Sequence, residues 1–257
     1  MVIISSILKR IFLAFSILTC AHASAETIKI SNGEWAPFTS QSYKHFGLAS
    51  HIVSEAFKAA GVDVEYVFYP WARALIDAKE GKELAATIVW TYSDERAQDF
   101  LYTDPVFALQ SVFFHKKGKV VDWQNLSELK DYKFGAAISY SYGDEFNKLE
   151  EEGVFNVARI ANDSNNLKKL VSGRIDLYPA EMLVGLEMIK NELSPSEAEQ
   201  ITYSKPYRES DYFVLVSKKY PGSSELVKKF NEGLAKIKES GLYQKMMDDS
   251  IQGNYSP

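Results

Sequence analysis

Cysteine is almost absent from this sequence of 257 residues, since Cys20 is its single example. The chain beyond Cys20 therefore has no thiol nucleophile, no disulfide and no cysteine-based metal site. The two residues before it, Leu18 and Thr19, match a lipid-attachment signal poorly, because Gly or Ala normally precedes a lipidated cysteine. A thiol-free chain fits an oxidising compartment, where a lone thiol would be a liability.

Histidine is also scarce: after His22, which lies in the amino-terminal segment, only His45, His51 and His115 occur, and they are widely spaced. The sequence has no His-x-x-His pair, no Gly-x-Ser-x-Gly nucleophile motif and no glycine-rich phosphate loop. These absences argue against metal, acyl-transfer and nucleotide chemistry, but they leave open acid–base work by a carboxylate. We expect no catalytic residue, no metal site and no cofactor.

No run of basic residues occurs: lysine and glutamate are interspersed, and the formal net charge is −5. Nucleic acid is bound through clustered positive charge, so it is not an expected partner. We expect a monomer that binds a small molecule.

One long apolar run is present, at residues 11–21, and Lys9 and Arg10 precede it. It is shorter than the roughly 20 apolar residues that a membrane-spanning helix needs. Ala23-Ser24-Ala25 then supplies a small-x-small cleavage site before the chain turns polar. This order is typical of a signal peptide at residues 1–25 and predicts a soluble periplasmic protein, cleaved after Ala25. The alternative is an uncleaved amino-terminal anchor.

Hydrophobic periodicity predicts that strands and helices alternate in the first part of the chain. One helix starts at Leu48 and is closed by Gly61, and a second runs from Trp71 to its end at Gly81. The strands around these helices are predicted at residues 27–31, 62–68 and 84–89. This order of elements favours a parallel sheet.

The same order returns later in the chain and predicts a second lobe. Its strands are predicted at residues 133–138, 154–160 and 175–178, and its helices at residues 142–152 and after a cap at Asp163. Longer strands at residues 107–116 and 211–217 mark the changeover points. The amphipathic helix at residues 223–239 has no strand partner of its own, so we expect it to return and cover the first lobe.

Aromatic residues are concentrated in the segments that follow the predicted strands. Ligands of open α/β sheets bind beyond the carboxyl ends of the strands. Three of the four tryptophans, Trp35, Trp71 and Trp90, stand in such segments. Flat rings make good walls for a small ligand and attract cations, although core packing is the alternative for each ring.

Two charged residues stand in the same kind of segment. Arg96 could fork onto a carboxylate through two parallel hydrogen bonds, or it could form a salt bridge with Asp94 or Asp99. Glu181 could contact a ligand, or it could be a charge at the amino terminus of the helix that follows it.

A set of short motifs runs in order through the chain. It comprises Asn32-Gly-Glu-Trp-Ala-Pro-Phe38, Gly47 opening a helix, Thr91-x-Ser-x-Glu-Arg96, Tyr102-Thr-Asp-Pro105, Phe134-Gly135, Gly173-Arg-Ile-Asp176, Asp211-Tyr-Phe-Val-Leu-Val216 and Gly241-Leu-Tyr243. With these motifs the chain resembles the bacterial extracellular solute-binding proteins of family 3, which are the polar amino acid receptors of ABC importers. The resemblance spans everything after the predicted signal peptide.

The resemblance implies a fold and its division. The fold is the two-lobed α/β periplasmic-binding-protein fold of type II, in which each lobe is a βαβ-built mixed sheet flanked by helices. Residues 26–115 and 206–257 would form the first lobe and residues 116–205 the second, with a two-segment hinge between them.

The resemblance also implies a function: capture of a small polar solute, an amino acid or related zwitterion, for a membrane ABC permease. One alternative is a receptor that presents its ligand to a membrane sensor kinase. A second is a periplasmic dehydratase-type enzyme on the same scaffold, with Glu181 as a general acid.

Four first-lobe residues match the ligand-binding positions of the family. Trp35, the aromatic before Ala-Pro-Phe, would stack on the ligand, and Trp71 would form the opposite wall. Thr91 would contact the amino acid backbone, and Arg96 would clasp the α-carboxylate.

The second lobe is expected to complete the site. Ser141 matches the hydroxyl that reaches the same carboxylate, and Tyr140 joins it in a loop that is bulkier than usual for the family. Glu181 would take the α-ammonium. Aspartate is usual at that position, so the ammonium site is displaced by one methylene.

Two further positions bear on the ligand. Asn32 stands where receptors for cationic amino acids tend to carry an acid, so lysine and arginine are the less expected ligands. Arg73 is a second arginine that an ordinary amino acid would not need. It indicates either contact with an extra acidic group on the ligand or a stabilising pair with Glu65 or Asp77.

Overall fold

The computed structural model describes residues 26–138 and 140–256. The predicted signal peptide lies outside the described residues, so its cleavage after Ala25 stays a prediction. Within the described ranges, no helix is both long enough and apolar enough to span a membrane.

The amino-terminal part folds as the parallel unit that its periodicity predicts. It comprises β1 (Glu26–Asn32), α1 (Leu48–Ala59), β2 (Val62–Phe68), α2 (Trp71–Glu80) and β3 (Ala86–Trp90). β1 lies between β2 and β3 and runs parallel to both. The apolar stripe of α1 is buried, and Gly81 ends α2 with a φ of 61°, a left-handed conformation that glycine adopts without strain.

The remaining elements continue to the carboxyl terminus. In chain order they are α3 (Asp94–Asp99), β4 (Phe100–Tyr102), β5 (Phe107–Lys116), β6 (Lys133–Ala137), α4 (Asp144–Glu151), β7 (Asn156–Ile160), α5 (Asn165–Val171), β8 (Tyr178–Glu181), α6 (Met182–Glu192), α7 (Pro195–Ala198), β9 (Ile201–Tyr203), β10 (Arg208–Ser217), α8 (Ser223–Glu239) and α9 (Leu242–Ile251). Short 3-10 helices lie at Lys44–Phe46 and Leu126–Leu129.

The long strands β5 and β10 join the two halves of the molecule. Strand pairing runs in the order β2-β1-β3-β10-β5-β8, with β4 beside β10 and β9 beside β5. The last residues of β10 pair with β3 and β4, whereas its first residues pair antiparallel with β5. These eight strands form one curled, mixed sheet, and β6 and β7 form a separate parallel pair. We call the part built on β1, β2 and β3 the first lobe, and the part built on β6, β7 and β8 the second lobe.

The hydrophobic core changes along β5. Leu109 packs in the core of the first lobe, whereas Val112 and Phe113 pack in the two cores of the second lobe. The predicted division after residue 115 stays a prediction, and this change of core leads us to propose a crossing a few residues earlier.

The second lobe differs from the prediction at residues 175–178. Leu177 makes only an isolated parallel bridge to Phe134, and β8 begins at Tyr178 and runs antiparallel to β5. The expectation that Asp163 caps the next helix is wrong, because Ser164 holds the cap position. Asp163 instead accepts a hydrogen bond at 2.7 Å from the hydroxyl of Tyr178, a buried phenol that needs a polar partner.

Helix α8 has the predicted bounds and covers the first lobe, as expected. Its buried residues Leu226, Phe230 and Leu234 belong to the same core as α1. Gly233 allows the close approach, because a Cβ there would lie 1.8 Å from the carbonyl oxygen of Ala56. The chain therefore returns to its first lobe after building the second.

Candidate ligand-binding site

A cavity of about 380 Å³ lies between the lobes, where β3 and β8 end. Seven of the eight predicted ligand-binding residues line it: Trp35, Trp71, Thr91, Arg96, Tyr140, Ser141 and Glu181. The lining also includes Ala72, Leu75, Val89, Trp90, Arg208 and Tyr212. The predicted residues thus come together in one place, and their roles toward a ligand stay predictions.

Trp71 is held as a wall of the cavity by contacts on two sides. Its indole Nε1 donates a hydrogen bond at 3.1 Å to the backbone oxygen of Glu34. Its ring meets that of Trp90 edge to face, with centroids 5.5 Å apart. A Cβ at Gly33 would lie 2.5 Å from the ring, so only glycine leaves room for it there. The wall is therefore built almost wholly from neighbouring first-lobe residues.

Arg96 is braced by its own chain segment. One of its terminal nitrogens donates to the backbone oxygen of Thr91 at 2.8 Å and to the Thr91 hydroxyl at 3.3 Å. Its Nε is buried and makes no hydrogen bond among the described residues. A buried donor without a partner costs free energy, so the protein itself leaves this guanidinium incompletely satisfied.

The salt-bridge alternative for Arg96 does not hold within the described residues. Asp99 pairs with Lys79 at 2.7 Å, and Asp94 accepts a hydrogen bond from the Tyr92 hydroxyl at 3.0 Å. Neither carboxylate forms an ion pair with Arg96. The guanidinium is therefore positioned without being neutralised.

Val89 introduces a bulge just before these residues. The β3–β10 register shifts at this point, since Phe213 pairs with Trp90 and Val214 with Ile88. Val89 has a φ of 60°, which is uncommon for a β-branched residue. Bulges re-aim side chains and are frequent beside functional sites. This one separates the buried Ile88 from Trp90, which faces the cavity.

The second-lobe loop that carries Tyr140 and Ser141 is held by Arg159. This arginine forks onto Glu150 through two hydrogen bonds of 2.7 Å and also donates to the backbone oxygens of Ala137 and Tyr140. The Ser141 hydroxyl accepts a hydrogen bond at 2.8 Å from Asn147. The hydroxyl is thereby oriented, and its own proton stays available to an acceptor.

Glu181 ends β8 and directly precedes α6, so the helix-terminus alternative describes its backbone position. Its side chain does not cap that helix. Instead, the carboxylate accepts a hydrogen bond at 2.5 Å from the hydroxyl of Tyr212. Burial raises the pKa of Tyr212 well above its ordinary value, and the charge of Glu181 adds to this shift. The phenol therefore stays protonated and remains a donor.

Arg208 and Tyr212 were missed as site residues. Sequence reasoning began the strand at Asp211, whereas β10 begins at Arg208. The two residues are four apart on one strand, a spacing that puts both side chains on the same face. Extending the predicted strand upstream from Asp211, through its polar residues, would have brought Arg208 and Tyr212 onto one strand and indicated both as site candidates.

Arg73 is the predicted residue that lies outside the cavity lining. Its Nε is 3.0 Å from a carboxylate oxygen of Asp77, and its guanidinium lies 4.3 Å from the centroid of the Tyr69 ring. This agrees with the stabilising-pair alternative. The position of Asn32 is likewise structural, because its buried amide donates to Ser50 and accepts from the backbone of Gly33.

The charges of the cavity lining are two arginines, Arg96 and Arg208, and one carboxylate, Glu181. Three tryptophans and two tyrosines surround them. Elsewhere in the part of the chain that is described, no three His, Cys, Asp or Glu side chains cluster as a metal site would require. The arrangement can grip both signs of charge on a small polar molecule between flat apolar walls.

The fold and cavity are those of a two-lobed solute-binding protein. Residues 28–176 match the model of the bacterial extracellular solute-binding proteins, family 3, and the chain belongs to this family. A relative named as a probable histidine-binding protein of Neisseria gonorrhoeae is 26% identical over 219 residues, which are 84% of this chain and 79% of that protein.

Solved structures share the fold. An ancestral arginine-binding protein bound to arginine superposes with a TM-score of 0.71 and 23% identity, covering 88% of this chain and 98% of that one. A histidine kinase sensor domain with similarity to periplasmic binding proteins gives a TM-score of 0.69 and 19% identity, over 88% and 96% of the two chains.

Proposed function

We propose that the protein captures an amino acid, or a closely related zwitterion, in the cleft between its lobes. The observation that carries this proposal is the pair of opposite charges in the cavity. Arg96 is braced by Thr91 but keeps an unpartnered Nε, and Glu181 lies in the same cavity with one oxygen held by Tyr212. A zwitterion offers one complementary charge to each.

The contacts of the bound solute follow from this geometry. Its α-carboxylate accepts from Arg96 and from the hydroxyls of Thr91 and Ser141, through charge-assisted hydrogen bonds. Its α-ammonium lies against Glu181. The rings of Trp35 and Trp71 enclose the aliphatic part, which removes apolar surface from water.

The relatives support an amino acid as the ligand class, since two of them are named for binding histidine and arginine. A cationic ligand such as arginine is not what this cavity favours. The cavity lining here holds two arginines, and Asn32, which would be acidic in a receptor for cationic amino acids, is buried among other contacts. A lysine or arginine side chain would meet like charge.

The setting of this function is the periplasm, after cleavage following Ala25. The protein acts as a monomer and delivers its solute to the membrane permease of an ABC importer, without transforming it. β5 and β10 form the hinge, so ligand binding favours a closed state of the two lobes over an open one.

Titration calorimetry of the purified protein with the protein amino acids, putrescine and succinate tests the ligand class. We expect an amino acid to bind with a dissociation constant of about 1 μM, or about −8.2 kcal/mol. A thermal shift supports the titration, because ligand at 100 times its dissociation constant adds about 2.7 kcal/mol to stability. Tight binding of putrescine or succinate, with no amino acid bound, would contradict the proposal.

The second candidate function is a receptor that presents its ligand to a sensor kinase. The similarity in fold to a histidine kinase sensor domain is the observation that favours this candidate. Uptake of the radiolabelled ligand in cells that lack the gene separates the two. Lost uptake supports the importer, whereas unchanged uptake with lost transcriptional response supports the sensor.

The enzyme alternative makes Glu181, in its aromatic cavity, a general acid. NMR of the ligand after incubation with the protein tests it. We expect the ligand to be recovered unchanged. Turnover that Glu181→Gln stops would establish catalysis instead.

A further inference from the structure

We propose that Arg208 makes the cavity selective for amino acids that carry a second acidic group, which have a net charge of −1 at neutral pH. This inference rests on the proposed function and names its ligand class: the dicarboxylic amino acids, with L-glutamate and L-aspartate as the nearest examples. Arg96 takes the α-carboxylate, Glu181 the ammonium and Arg208 the side-chain carboxylate.

The first support is the strand register that places Arg208. Ser111 of β5 pairs with Arg208 of β10 on one side and with Glu181 of β8 on the other. Residues directly opposite each other point to the same face of a sheet, and neighbouring strands lie about 4.8 Å apart. Arg208 and Glu181 therefore project into the cavity from the same row, with one strand between them.

The second support is that Arg208 carries an unmatched charge. Among the described residues its guanidinium makes no hydrogen bond and no ion pair, whereas its neighbour Glu209 accepts a hydrogen bond from Gln110 at 3.2 Å. Glu181, the one carboxylate of the cavity lining, accepts from Tyr212 and lies beyond ion-pair distance of Arg208. A half-buried arginine without a partner is stabilised by an anion that reaches it.

The third support is the path of the Arg208 side chain. A Cβ at Gly143 would lie 2.9 Å from its Cδ and 3.4 Å from its Nε. Gly143 thus leaves room for the arginine to reach from β10 to the loop that carries Tyr140 and Ser141. Arg208 is half-buried and belongs to the cavity lining.

The charge balance then selects the ligand. A neutral amino acid satisfies Arg96 and Glu181 but leaves Arg208 unmatched, and a cationic side chain would face it with like charge. A second carboxylate neutralises all three charged groups of the lining. The alternative is that Arg208 only balances the charge of Glu181 from a distance and does not contact the ligand. The test must distinguish this alternative from direct binding of the side-chain carboxylate.

Titration calorimetry with matched acid and amide ligands makes the separation. The probes are L-glutamate against L-glutamine and L-aspartate against L-asparagine, which differ in side-chain charge at nearly constant shape. The proteins compared are the wild type, Arg208→Gln and Arg73→Gln. Arg73→Gln is the matched control, because Arg73 is an arginine outside the cavity lining. Circular dichroism confirms that each variant is folded.

We expect wild type to prefer one acid over its amide by about tenfold to a hundredfold, the range of a hydrogen bond to a charged group. Arg208→Gln should bring acid and amide to within about threefold of each other, because the side-chain carboxylate loses its partner. Arg73→Gln should keep the preference of the wild type.

Each contrary result would overturn a different claim. Equal wild-type affinity for acids and amides overturns this inference and leaves the proposed function standing. A preference that survives in Arg208→Gln, or disappears in Arg73→Gln, overturns the role of Arg208. Absence of binding by any amino acid overturns the proposed function and this inference with it.

Discussion

The cavity lining holds two charged centres, which we call its Arg96 end and its Glu181 end, and they are built in different ways. At one end, Arg96 is fixed by Thr91, five residues away in its own segment. At the other end, Glu181 is held by Tyr212 across 31 residues, and both depend on the pairing of β10, β5 and β8. The first end is a local structure, and the second exists only when three strands from distant parts of the chain have the correct register.

This difference has a functional consequence. The Arg96 end belongs to the first lobe, whereas Glu181, Arg208 and Tyr212 lie on the strands that join the lobes or on the second lobe. A solute that grips both ends therefore bridges parts that move relative to one another about the hinge we propose. Under the proposed function, the local end takes the α-carboxylate that every amino acid carries. The assembled end takes the equally general α-ammonium on Glu181 and would take the discriminating side chain on Arg208.

Arg96→Ala should have the largest effect. Removing one partner of a buried, hydrogen-bonded charge pair costs about 2–5 kcal/mol, so affinity for any amino acid should fall by about 30-fold to several thousandfold. Titration calorimetry measures the loss. Arg96→Lys, which keeps the charge but loses the fork, should recover part of it. Unchanged affinity in Arg96→Ala would show that Arg96 does not bind the ligand.

Glu181→Gln should have the next largest effect, because it keeps the shape of the side chain and removes the charge that faces the ammonium. We expect affinity for L-glutamate to fall by about tenfold to a hundredfold, the loss of one charged hydrogen bond. Binding of 2-oxoglutarate, which lacks the ammonium, provides the control and should not weaken. Equal losses for both ligands would mean that Glu181 supports the cavity without recognising the ammonium.

Tyr212→Phe should have a smaller effect at the same end. The ring contact with Trp35, at 5.2 Å between centroids, is kept, and only the hydroxyl that orients Glu181 is lost. One hydrogen bond is worth about 1 kcal/mol, or about fivefold in affinity. A double-mutant cycle with Glu181→Gln should show that the two losses are not additive. Additive losses would show that the phenol acts independently of the carboxylate.

Gly33→Ala should have the smallest effect on affinity, below about fivefold, because it displaces a wall and removes no charge. The added Cβ would lie 2.5 Å from the Trp71 ring, so that ring must shift. Tryptophan fluorescence should report the shift as a smaller change on ligand binding. Wild-type affinity together with a wild-type fluorescence response would mean that the ring does not line the bound ligand.

Sequence reasoning succeeded where the structure is local. The bounds of α8 and the core face of α1 follow from helical spacing. The family resemblance pointed to Trp71 and Arg96, which line the cavity, and their contact with a ligand stays a prediction. It failed at Arg208, because residues 208–211 read Arg-Glu-Ser-Asp and resemble a solvated loop. They form a strand only because β5 lies beside them.

The same reason explains the errors in the second lobe. The strand predicted at residues 175–178 was placed by its own apolar pattern, but its position is set by the edge of β5. Asp163 resembled a helix cap in sequence, whereas the distant phenol of Tyr178 recruits it. Contacts between residues far apart in sequence leave no periodic signal, so register and cross-lobe partners had to come from the structure.

The most direct test of the account is a crystal structure of the protein with its tightest-binding amino acid. We predict the α-carboxylate at hydrogen-bond distance from Arg96 and Thr91, and the α-ammonium on Glu181, with the ligand between Trp35 and Trp71. An amino acid bound in the opposite direction, or outside this cavity, would contradict the claim that each end of the cleft grips one charge of a zwitterion.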